Sequence, residues 1–488
     1  MDSESIRALV LEAYGQGPEA VIALVVALCA QLEALGQRGD ALEAENAALR
    51  AKLGTNSRNS GKPPSSDGPG VKSHPQSQRK PTGRKAGGQA GHRGYRLQLV
   101  KQPDEVQVHA PSRCGACGQS LEGVPARRRE RRQVMDLPPV QVRVVEHQAE
   151  TKCCPGCGAE TTGAFPEVVE APAQYGPGVT TVAVYLNQQQ LLPMQRTCEV
   201  MREVFGCPIA EGTLESAVER CHAHLATVEA GIKGQVTKAD IAHFDETGLN
   251  VNGKTHWLHV ASTSGLTFYA AHAKRGGEAL EAIGVLPGFR GKAVHDGLTS
   301  YGQYQECQHV LCNAHHAREL TFVAEELGQG WAQELKELLL EIKQATDTAR
   351  EQGVAALATE TKRAFEARYD ALLEVGLKMN PPPASTGKAG RPSRGKVGNL
   401  VDRLRTHKGA TLAFMEDLTV PFDNNQAERD LRMVKVKAKI SGCFRTMTGA
   451  HRFCRIRGYI STLRKQGIPI LSALSQAMVG SPPMPGTT

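Results

Sequence analysis

Three carboxylates occur in contexts that suit metal ligands better than solvated surface charges. Asp245 follows the apolar run IAHF, which predicts a short buried strand with Asp245 at its C-terminal end, and Asp296 ends a similar run. Glu428 lies in a segment with a helical apolar stripe. Carboxylate oxygens are the ligands that Mg²⁺ and Mn²⁺ prefer. The three side chains therefore predict a metal site suited to in-line phosphoryl transfer.

Strands are predicted to position Asp245 and Asp296, and a helix is predicted to position Glu428. After Asp245 the pattern predicts two strands around a Ser-Gly turn, then strands at GKAVH and QHVL, the last of which runs into a helix. Asp423, Asn424 and Asn425 offer N-cap side chains for the helix of Glu428. This order of elements matches the ribonuclease-H-like fold, a mixed sheet with the first carboxylate on its opening strand.

The chain has 488 residues, which are too many for one hydrophobic core. This length indicates about three or four folding units, of which the catalytic core is one. We predict an α/β multidomain protein in which a coiled coil, a zinc ribbon and a helical domain precede a catalytic core with a helical insertion. The predicted segments are 1–54, 55–98, 99–170, 171–238, 239–318 (first part of the core), 319–418 (insertion), 419–470 (Glu428 helix and basic part) and 471–488 (tail).

Positive charge is concentrated in two zones. The chain has a formal net charge of +8, and residues 55–133 and 429–465 each carry an excess of roughly ten positive charges. Two separate basic zones fit contact with an extended phosphate backbone. The composition therefore favours double-stranded DNA as a partner.

Residues 21–53 carry apolar side chains at heptad spacing, with Leu35, Leu42 and Leu49 at one position and Asn46 at another. A buried Asn at that place favours a parallel dimer in fixed register. The alternative is a helix that packs on its own protein and is split at Gly39. The apolar run at 21–30 is shorter than the roughly 20 residues of a membrane span, so no membrane contact is expected.

Residues 55–98 are rich in Ser, Gly, Pro, Lys and Arg with little to bury, which predicts disorder until a partner binds. Its basic pieces PTGRK and HRG resemble arms that enter a DNA minor groove, although a plain linker is the alternative.

Two C-x-x-C-G motifs follow, with Cys114 and Cys117 opposite Cys154 and Cys157. Two such knuckles complete a tetrahedral Zn²⁺ site with no position left for water, so we predict structural zinc. The alternation in PPVQVRVVEHQAE suggests the strands of a zinc ribbon. Unrelated free thiols are the alternative. The thirteen cysteines of the chain indicate metal binding in a reducing compartment, which favours the cytoplasm.

Residues 171–238 read as helices around a short turn and resemble a helix-turn-helix whose second helix begins near Glu211. Glu211, Glu215 and Glu219 on that helix would repel phosphates. We therefore favour packing or substrate positioning over base reading for this unit.

Several motifs together resemble the insertion-sequence sixty-six family of transposases. They are a KLGTNSRNSGKPPSSD segment after a leucine-rich helix, a two-knuckle cysteine region, DETG, a later DG, AHHARE and DNNQAERDLR, all in order over roughly residues 18–465. The resemblance implies an Asp-Asp-Glu transposase with Asp245, Asp296 and Glu428 as its triad. It also implies action on the terminal inverted repeats of a bacterial mobile element, with small accessory proteins of that element as further partners.

Two divalent ions held by the triad would activate a nucleophile and stabilise the leaving oxygen during phosphodiester cleavage and strand transfer. Two other classes of protein compete with this interpretation: a nuclease of the same fold that only hydrolyses DNA, and a transposase-derived repressor that has lost a triad residue. All three carboxylates are present, which weighs against the repressor.

Basic residues near the triad are candidates for phosphate contacts. Glu246 is expected to point to the other face of its strand from Asp245 and to act as a helper. Cys312 and His315 form a C-x-x-H pair, which alone is a weak zinc signal. The residues predicted to contact phosphate or DNA are His315, His316, Arg318, Arg429, Arg432, Lys435 and Lys437.

Overall fold

The computed structural model describes residues 3–53, 91, 94, 97–138, 140–382 and 394–486. The predicted disorder and minor-groove contacts of the 55–98 segment lie almost wholly outside the described residues. The chain forms two compact units. One contains Met1–Pro75, Ala171–Cys198 and Ile209–Thr488, and the other contains Gln76–Glu170 and Glu199–Pro208.

The N-terminal residues form two helices, α1 (Ser3–Gln16) and α2 (Pro18–Leu53), which pack against each other. The backbone turns between them at Gly17, whose φ of 110° is readily adopted only by glycine. Helix α2 continues through Gly39 without a break, contrary to the alternative in which Gly39 divides it. Leu35, Leu42 and Leu49 are 64%, 58% and 50% exposed.

Within the described residues, one helical stretch, Pro18–Gly39, is long and apolar enough to cross a membrane by length and composition, and none of it is buried. The stretch is longer than the apolar run 21–30 considered from the sequence. Because signal sequences and the core helices of soluble proteins pass the same test, this is weak evidence for a membrane span.

The cysteine-rich region contains two short antiparallel strands, β1 (Thr151–Cys153) and β2 (Glu160–Thr162), which flank the second knuckle. The predicted strands in the alternating segment are wrong for its described residues 140–150, which form none. Their apolar side chains, including Val140 and Val142, are exposed. Alternation alone does not make a strand, because the backbone groups also need a neighbouring strand to bond.

A helical segment joins this region to the sheet. It contains α3 (Pro177–Val184), a π-helical turn (Tyr185–Gln189), α4 (Met194–Phe205), α5 (Glu211–His224) and α6 (Ala226–Thr237). The start of α5 at Glu211 agrees with the predicted second helix. Glu215 and Glu219 of α5 are ion-paired with Arg452. These two carboxylates therefore contribute to packing within the unit.

Five further strands are β3 (Ile241–Val251), β4 (Lys254–Ser262), β5 (Thr267–His272), β6 (Lys292–His295) and β7 (Gln308–Leu311). They form one mixed sheet in the order β5-β4-β3-β6-β7. Strands β3, β4 and β5 are antiparallel neighbours, whereas β6 and β7 run parallel to β3. Between β5 and β7 lie α7 (Gly277–Ile283) and two short 3₁₀ turns (Leu286–Gly288 and Thr299–Gln303).

Strand β3 does not end at Asp245 as predicted but continues to Val251. The continuation is held by an antiparallel hairpin with β4, closed by Asn252 and Gly253 at φ values of 48° and 76°. An Asn-Gly pair with both φ values positive suits the two-residue turn of such a hairpin.

Helices surround the sheet. The described residues between β7 and the Glu428 helix form several helices, the last of which packs on β7. After the insertion, α13 packs on β3 and β4, and α14 packs on β5. The helices are α8 (Asn313–Leu327), α9 (Gly330–Glu351), α10 (Thr359–Met379), α11 (Gly395–Thr406), α12 (Lys408–Glu416), α13 (Asn425–Ser441), α14 (Met447–Lys465) and α15 (Ile470–Met478).

Candidate active site

The sheet brings two of the predicted carboxylates to one place. The parallel pairing of β3 with β6 reaches His243 and Val294, so Asp245 lies just beyond the point at which these strands separate. Asp296 directly follows β6. Carboxylate oxygens of Asp245, Glu246 and Asp296 lie within 4.8 Å of one another.

The electrostatics of this cluster suit a cation. Burial, followed by the neighbouring carboxylates of Glu246, Asp296 and Glu428, raises the pKa of Asp245 to about 8. One oxygen of Asp245 accepts the backbone N–H of Glu246 at 2.8 Å, which opposes this shift. A buried carboxylate beside other acids is costly to ionise unless a cation shares the charge. The oxygen donors therefore fit Mg²⁺ or Mn²⁺.

Glu246 is a site residue whose position the sequence did not reveal. Its side chain is fully buried, and its carboxylate is paired with Arg275 at 2.7 Å. The Tyr301 hydroxyl donates to its other oxygen at 2.7 Å. These partners, which follow β5 and β6, hold Glu246 near Asp245 and Asp296, contrary to the expectation that it points away. The only sequence signal was its place next to Asp245.

Glu428 lies in the first turn of α13, and Asn424 is the residue that precedes that helix. Asn424 occupies the N-cap position, but its buried side chain makes no capping bond. Instead its amide donates to the carbonyl of Phe244 at 2.8 Å, and its oxygen lies 2.9 Å from Nδ1 of His243. Asn424 thus connects the Glu428 helix to the strand that carries Asp245.

The other candidate caps behave differently. Asp423 accepts the backbone N–H of Asn425 at 3.0 Å, and Asn425 is the first residue of α13. Of the three predicted capping side chains, Asp423 is therefore the one that bonds a backbone N–H at the start of the helix.

A second group of potential ligands meets at Glu428. Single ligand atoms of Cys312, His315 and Glu428 lie within 4.8 Å of one another. His315 Nε2 is 4.0 Å from the Glu428 carboxylate. The Cys312 thiol is buried and accepts the backbone N–H of Asn424 at 3.1 Å. The C-x-x-H pair, a weak signal by itself, thus acquires a third potential ligand, Glu428, which lies 116 residues after Cys312 in the chain.

His316 and Arg318 occupy different environments on α8. His316 is 2% exposed, and its Nδ1 lies 3.2 Å from the side-chain oxygen of Asn313. Burial lowers the pKa of His316 to about 3, so its ring is neutral. This corrects the predicted phosphate contact of His316, because a buried neutral ring cannot attract phosphate from solvent. Arg318 is half-buried.

Helix α13 presents a basic stripe beside Glu428. Arg432 and Lys435 follow Glu428 at helical spacing, and both are exposed. Arg429 is also exposed and donates to Gln426 at 3.0 Å.

Lys437 departs from this stripe. Its ammonium lies 3.9 Å from the centroid of the Phe444 ring, and burial lowers its pKa. The prediction that Lys437 belongs to the exposed phosphate-binding face is therefore corrected: this side chain packs on an aromatic ring.

The two cysteine knuckles have the same local geometry. In the first, Cys114 N–H donates to Gln119 at 2.8 Å, and Gly118 has a φ of 73°. In the second, Cys154 N–H donates to Ala159 at 2.8 Å, and the corresponding glycine has a φ of 71°. Backbone N–H groups directed at sulfur lower the pKa of Cys114 and Cys154. Both turns are therefore preformed to present thiolates.

No group of potential metal ligands among the described residues combines the two knuckles. The groups of three or more ligand atoms lying within 4.8 Å of one another include none that joins Cys114 or Cys117 to Cys154 or Cys157. A shared zinc would have to draw the two pairs together. The Cys153 thiol instead donates to the Gly158 carbonyl at 3.4 Å.

Comparison with known protein families identifies three segments. The Transposase IS66 family matches residues 172–452, which is more than half of the chain. The zinc-finger binding domain of transposase IS66 matches residues 111–158, and a family of unknown function (DUF6444) matches residues 15–98. No curated protein matches the chain. The matched core contains the carboxylate cluster and α13, and the chain belongs to the IS66 family of transposases.

Proposed function

We propose that this transposase cuts and joins DNA at the terminal inverted repeats of a bacterial insertion sequence, using Asp245, Asp296 and Glu428 to hold Mg²⁺ or Mn²⁺. The observation that carries the proposal is the convergence of oxygen ligands from two strands of the sheet, with the Glu428 helix tied to the first strand by Asn424. The influence of Glu428 on the pKa of Asp245 supports its place near the cluster.

The sheet supports a ribonuclease-H-like core. Its strand order, with three antiparallel strands followed by two parallel ones, is the arrangement expected for that fold. We assign residues 239–318 and 419–470 to the core and residues 319–418 to an insertion. The flanking assignments are 1–54 (coiled coil), 55–98 (linker), 99–170 (zinc ribbon), 171–238 (helical domain) and 471–488 (tail).

The side chains of the site have different proposed roles. When bound, Mg²⁺ or Mn²⁺ would activate the attacking hydroxyl and stabilise the leaving oxygen. Asp245 and Asp296 hold their carboxylates at the separating strands, and Glu428 contributes from α13. Arg275 neutralises Glu246, whose buried carboxylate would otherwise add a further uncompensated charge.

The DNA backbone is proposed to lie along the exposed basic residues. Arg429, Arg432 and Lys435 would contact phosphates on α13, and His315 and Arg318 would contact the phosphate nearest the carboxylates. We place the enzyme in the cytoplasm, where it would reach bacterial DNA. Accessory proteins of the element remain proposed partners.

A strand-transfer assay tests the function. Purified full-length protein, duplexes carrying the element's own ends, plasmid target and Mg²⁺ should give cleaved ends joined covalently to the plasmid. Cleaved ends without joining would favour the hydrolytic nuclease, and binding without cleavage would favour a regulator. Ends with scrambled sequence serve as the control for recognition of the inverted repeats.

The basic stripe gives a prediction with a control on the same helix. Arg432→Ala or Lys435→Ala should weaken binding of any duplex by about fivefold near 0.15 M salt and reduce the salt slope by about one, since each removes one phosphate contact. Binding is measured by fluorescence anisotropy over a salt series.

Lys437→Ala removes the same charge from α13, but at a site where the side chain packs on Phe444. It should therefore leave the salt slope unchanged. Equal loss of slope in Lys437→Ala and Lys435→Ala would show that the helix attracts DNA through its net charge and not through an oriented stripe.

The exposed leucines of α2 give a second prediction. We propose that they pair with those of another copy in a parallel coiled coil. Leu42→Glu should dissociate the dimer or higher oligomer, because it buries a charge in the seam. Gln37→Glu, at an outward heptad position, should leave it intact. Light scattering of the full-length protein measures the mass. A monomeric wild-type chain would contradict the pairing.

A further inference from the structure

The group formed by Cys312, His315 and Glu428 shares one residue with the proposed active site but has a different chemistry. We propose that this group binds Zn²⁺ and that bound zinc withdraws Glu428 from the catalytic cluster, so that Zn²⁺ inhibits the enzyme. The inhibition rests on the proposed function, whereas the zinc site does not.

The geometry needs only a small contraction. The three ligand atoms lie within 4.8 Å of one another, and bonds of about 2.0–2.3 Å in a tetrahedral zinc site separate ligands by about 3.3–3.8 Å. The side chains of His315 and Glu428 are 27% and 32% exposed, so both have room to turn. Cys312 is buried and provides the fixed point.

The Cys312 thiol shares one feature with the zinc knuckles, a backbone N–H directed at its sulfur, but it is buried. Cys312 is the N-cap residue of α8, but its side chain makes no capping bond. Its sulfur accepts the backbone N–H of Asn424 at 3.1 Å, whereas the His315 N–H donates to the Cys312 carbonyl at 3.1 Å. Cys114 and Cys154 accept backbone N–H groups within their own knuckles. Burial nevertheless raises the pKa of the Cys312 thiol to about 12, whereas the pKa values of Cys114 and Cys154 are lowered. Zinc binding would release the thiol proton to solvent.

The ligand set distinguishes zinc from the catalytic cation. Thiolate, imidazole and carboxylate together suit Zn²⁺, whereas Mg²⁺ prefers oxygen alone. His315 Nδ1 is buried and has no hydrogen-bond partner among the described residues. A buried ring nitrogen without a partner is costly, and turning the imidazole toward a metal would relieve that cost. Three protein ligands leave the fourth zinc position to water.

Zinc content tests the site in the full-length protein. After equilibration in buffered Zn²⁺ and desalting, the wild-type chain should retain one zinc more than Cys312→Ser, which keeps a hydrogen-bond acceptor at the helix N-cap but removes the sulfur. His315→Ala should lose the same zinc. Cys307→Ser is the matched control, because Cys307 is also buried in this unit but its thiol donates to the Tyr304 carbonyl.

Cleavage in Mg²⁺ then tests the sharing of Glu428. A Zn²⁺ concentration ten times above half-saturation of the site should reduce wild-type cleavage about tenfold, by simple mass action. Each variant is compared with its own zinc-free rate. Cys312→Ser should lose the inhibition, and Cys307→Ser should keep it.

The outcomes test the zinc site and the sharing of Glu428 separately. Equal zinc content in the wild-type and Cys312→Ser proteins would overturn the site. Loss of that zinc in Cys312→Ser with no inhibition of the wild-type enzyme would overturn the sharing of Glu428. If no cleavage occurs under any condition, the proposed function fails, and zinc content still decides whether the site exists.

Discussion

Asp245→Asn should abolish metal-dependent cleavage while making the magnesium-free protein more stable at alkaline pH. The amide keeps the size and the acceptor oxygen but removes the charge that a divalent ion needs. A lost ligand that contributes about 4 kcal/mol of transition-state stabilisation corresponds to a rate loss on the order of 10³-fold. Single-turnover cleavage of the element's ends in Mg²⁺ measures this loss.

The gain in stability follows from the raised pKa of Asp245. An unfolded Asp titrates near pH 3.9, whereas burial and the neighbouring carboxylates raise the folded pKa of Asp245 to about 8. Between these values the folded state binds more protons than the unfolded state, so the wild-type protein loses stability as pH rises from about 4 to about 8. Asp245→Asn removes that loss and should exceed the wild type most clearly at pH 8.

Urea unfolding at pH 5 and pH 8 checks the sign. The buffer contains no Mg²⁺ and no chelator, so that zinc is left in place. Added Mg²⁺ should stabilise the wild-type protein but not the variant. Asp240→Asn is the matched control, since Asp240 is an exposed carboxylate just before β3. Near-normal cleavage by Asp245→Asn would remove this residue from the metal site, and equal stabilities at pH 8 would contradict the proposed repulsion.

The sequence predicted the elements of the core better than the contacts between them. The strand before Asp296 could be recognised because Ala293 and Val294 are apolar and DG ends the run, both of which are local signals. The start of the Glu428 helix was also local. Strand β3 was predicted too short because its second half is held by pairing with β4, and the pattern ETGLNV does not by itself indicate a strand.

The contacts that organise the site are long-range. Glu246 is held by Arg275 and Tyr301, and Asn424 bonds a strand about 180 residues earlier in the chain. No periodicity in one sequence reveals which distant side chain will fill such a role. The phosphate contact of Lys437 was predicted from charge alone, because Lys437 lies in a basic run. Residue spacing does not show that this side chain packs on an aromatic ring.

The zinc ribbon illustrates the same division between local and distant information. Each C-x-x-C-G motif specified its own turn, including the glycine at positive φ. In our proposal the pairing of the two motifs depends on a shared metal, which the sequence does not encode as a contact between neighbouring residues. Replacing a ligand of the ribbon zinc should therefore change the folding free energy more than any other substitution proposed.

Cys157→Ser should remove about one zinc per chain and unfold both knuckles, since zinc supplies roughly 10–16 kcal/mol of apparent binding energy to so small a unit. The decisive readout is amide hydrogen exchange at the first knuckle, where Cys114 N–H and Gly118 N–H are hydrogen-bonded. These amides lie about 40 residues from the substitution, so a shared metal would link them to it.

Cys153→Ser is the matched control for this experiment, because Cys153 is a neighbouring exposed thiol outside the C-x-x-C motifs. It should leave zinc content and exchange unchanged. Carrying both substitutions in a Cys312→Ser background ensures that only ribbon zinc is counted. Faster exchange confined to the second knuckle in Cys157→Ser would show that the pairs do not share a metal. Purified protein without zinc would contradict the ribbon altogether, because preformed turns alone cannot hold two exposed knuckles together.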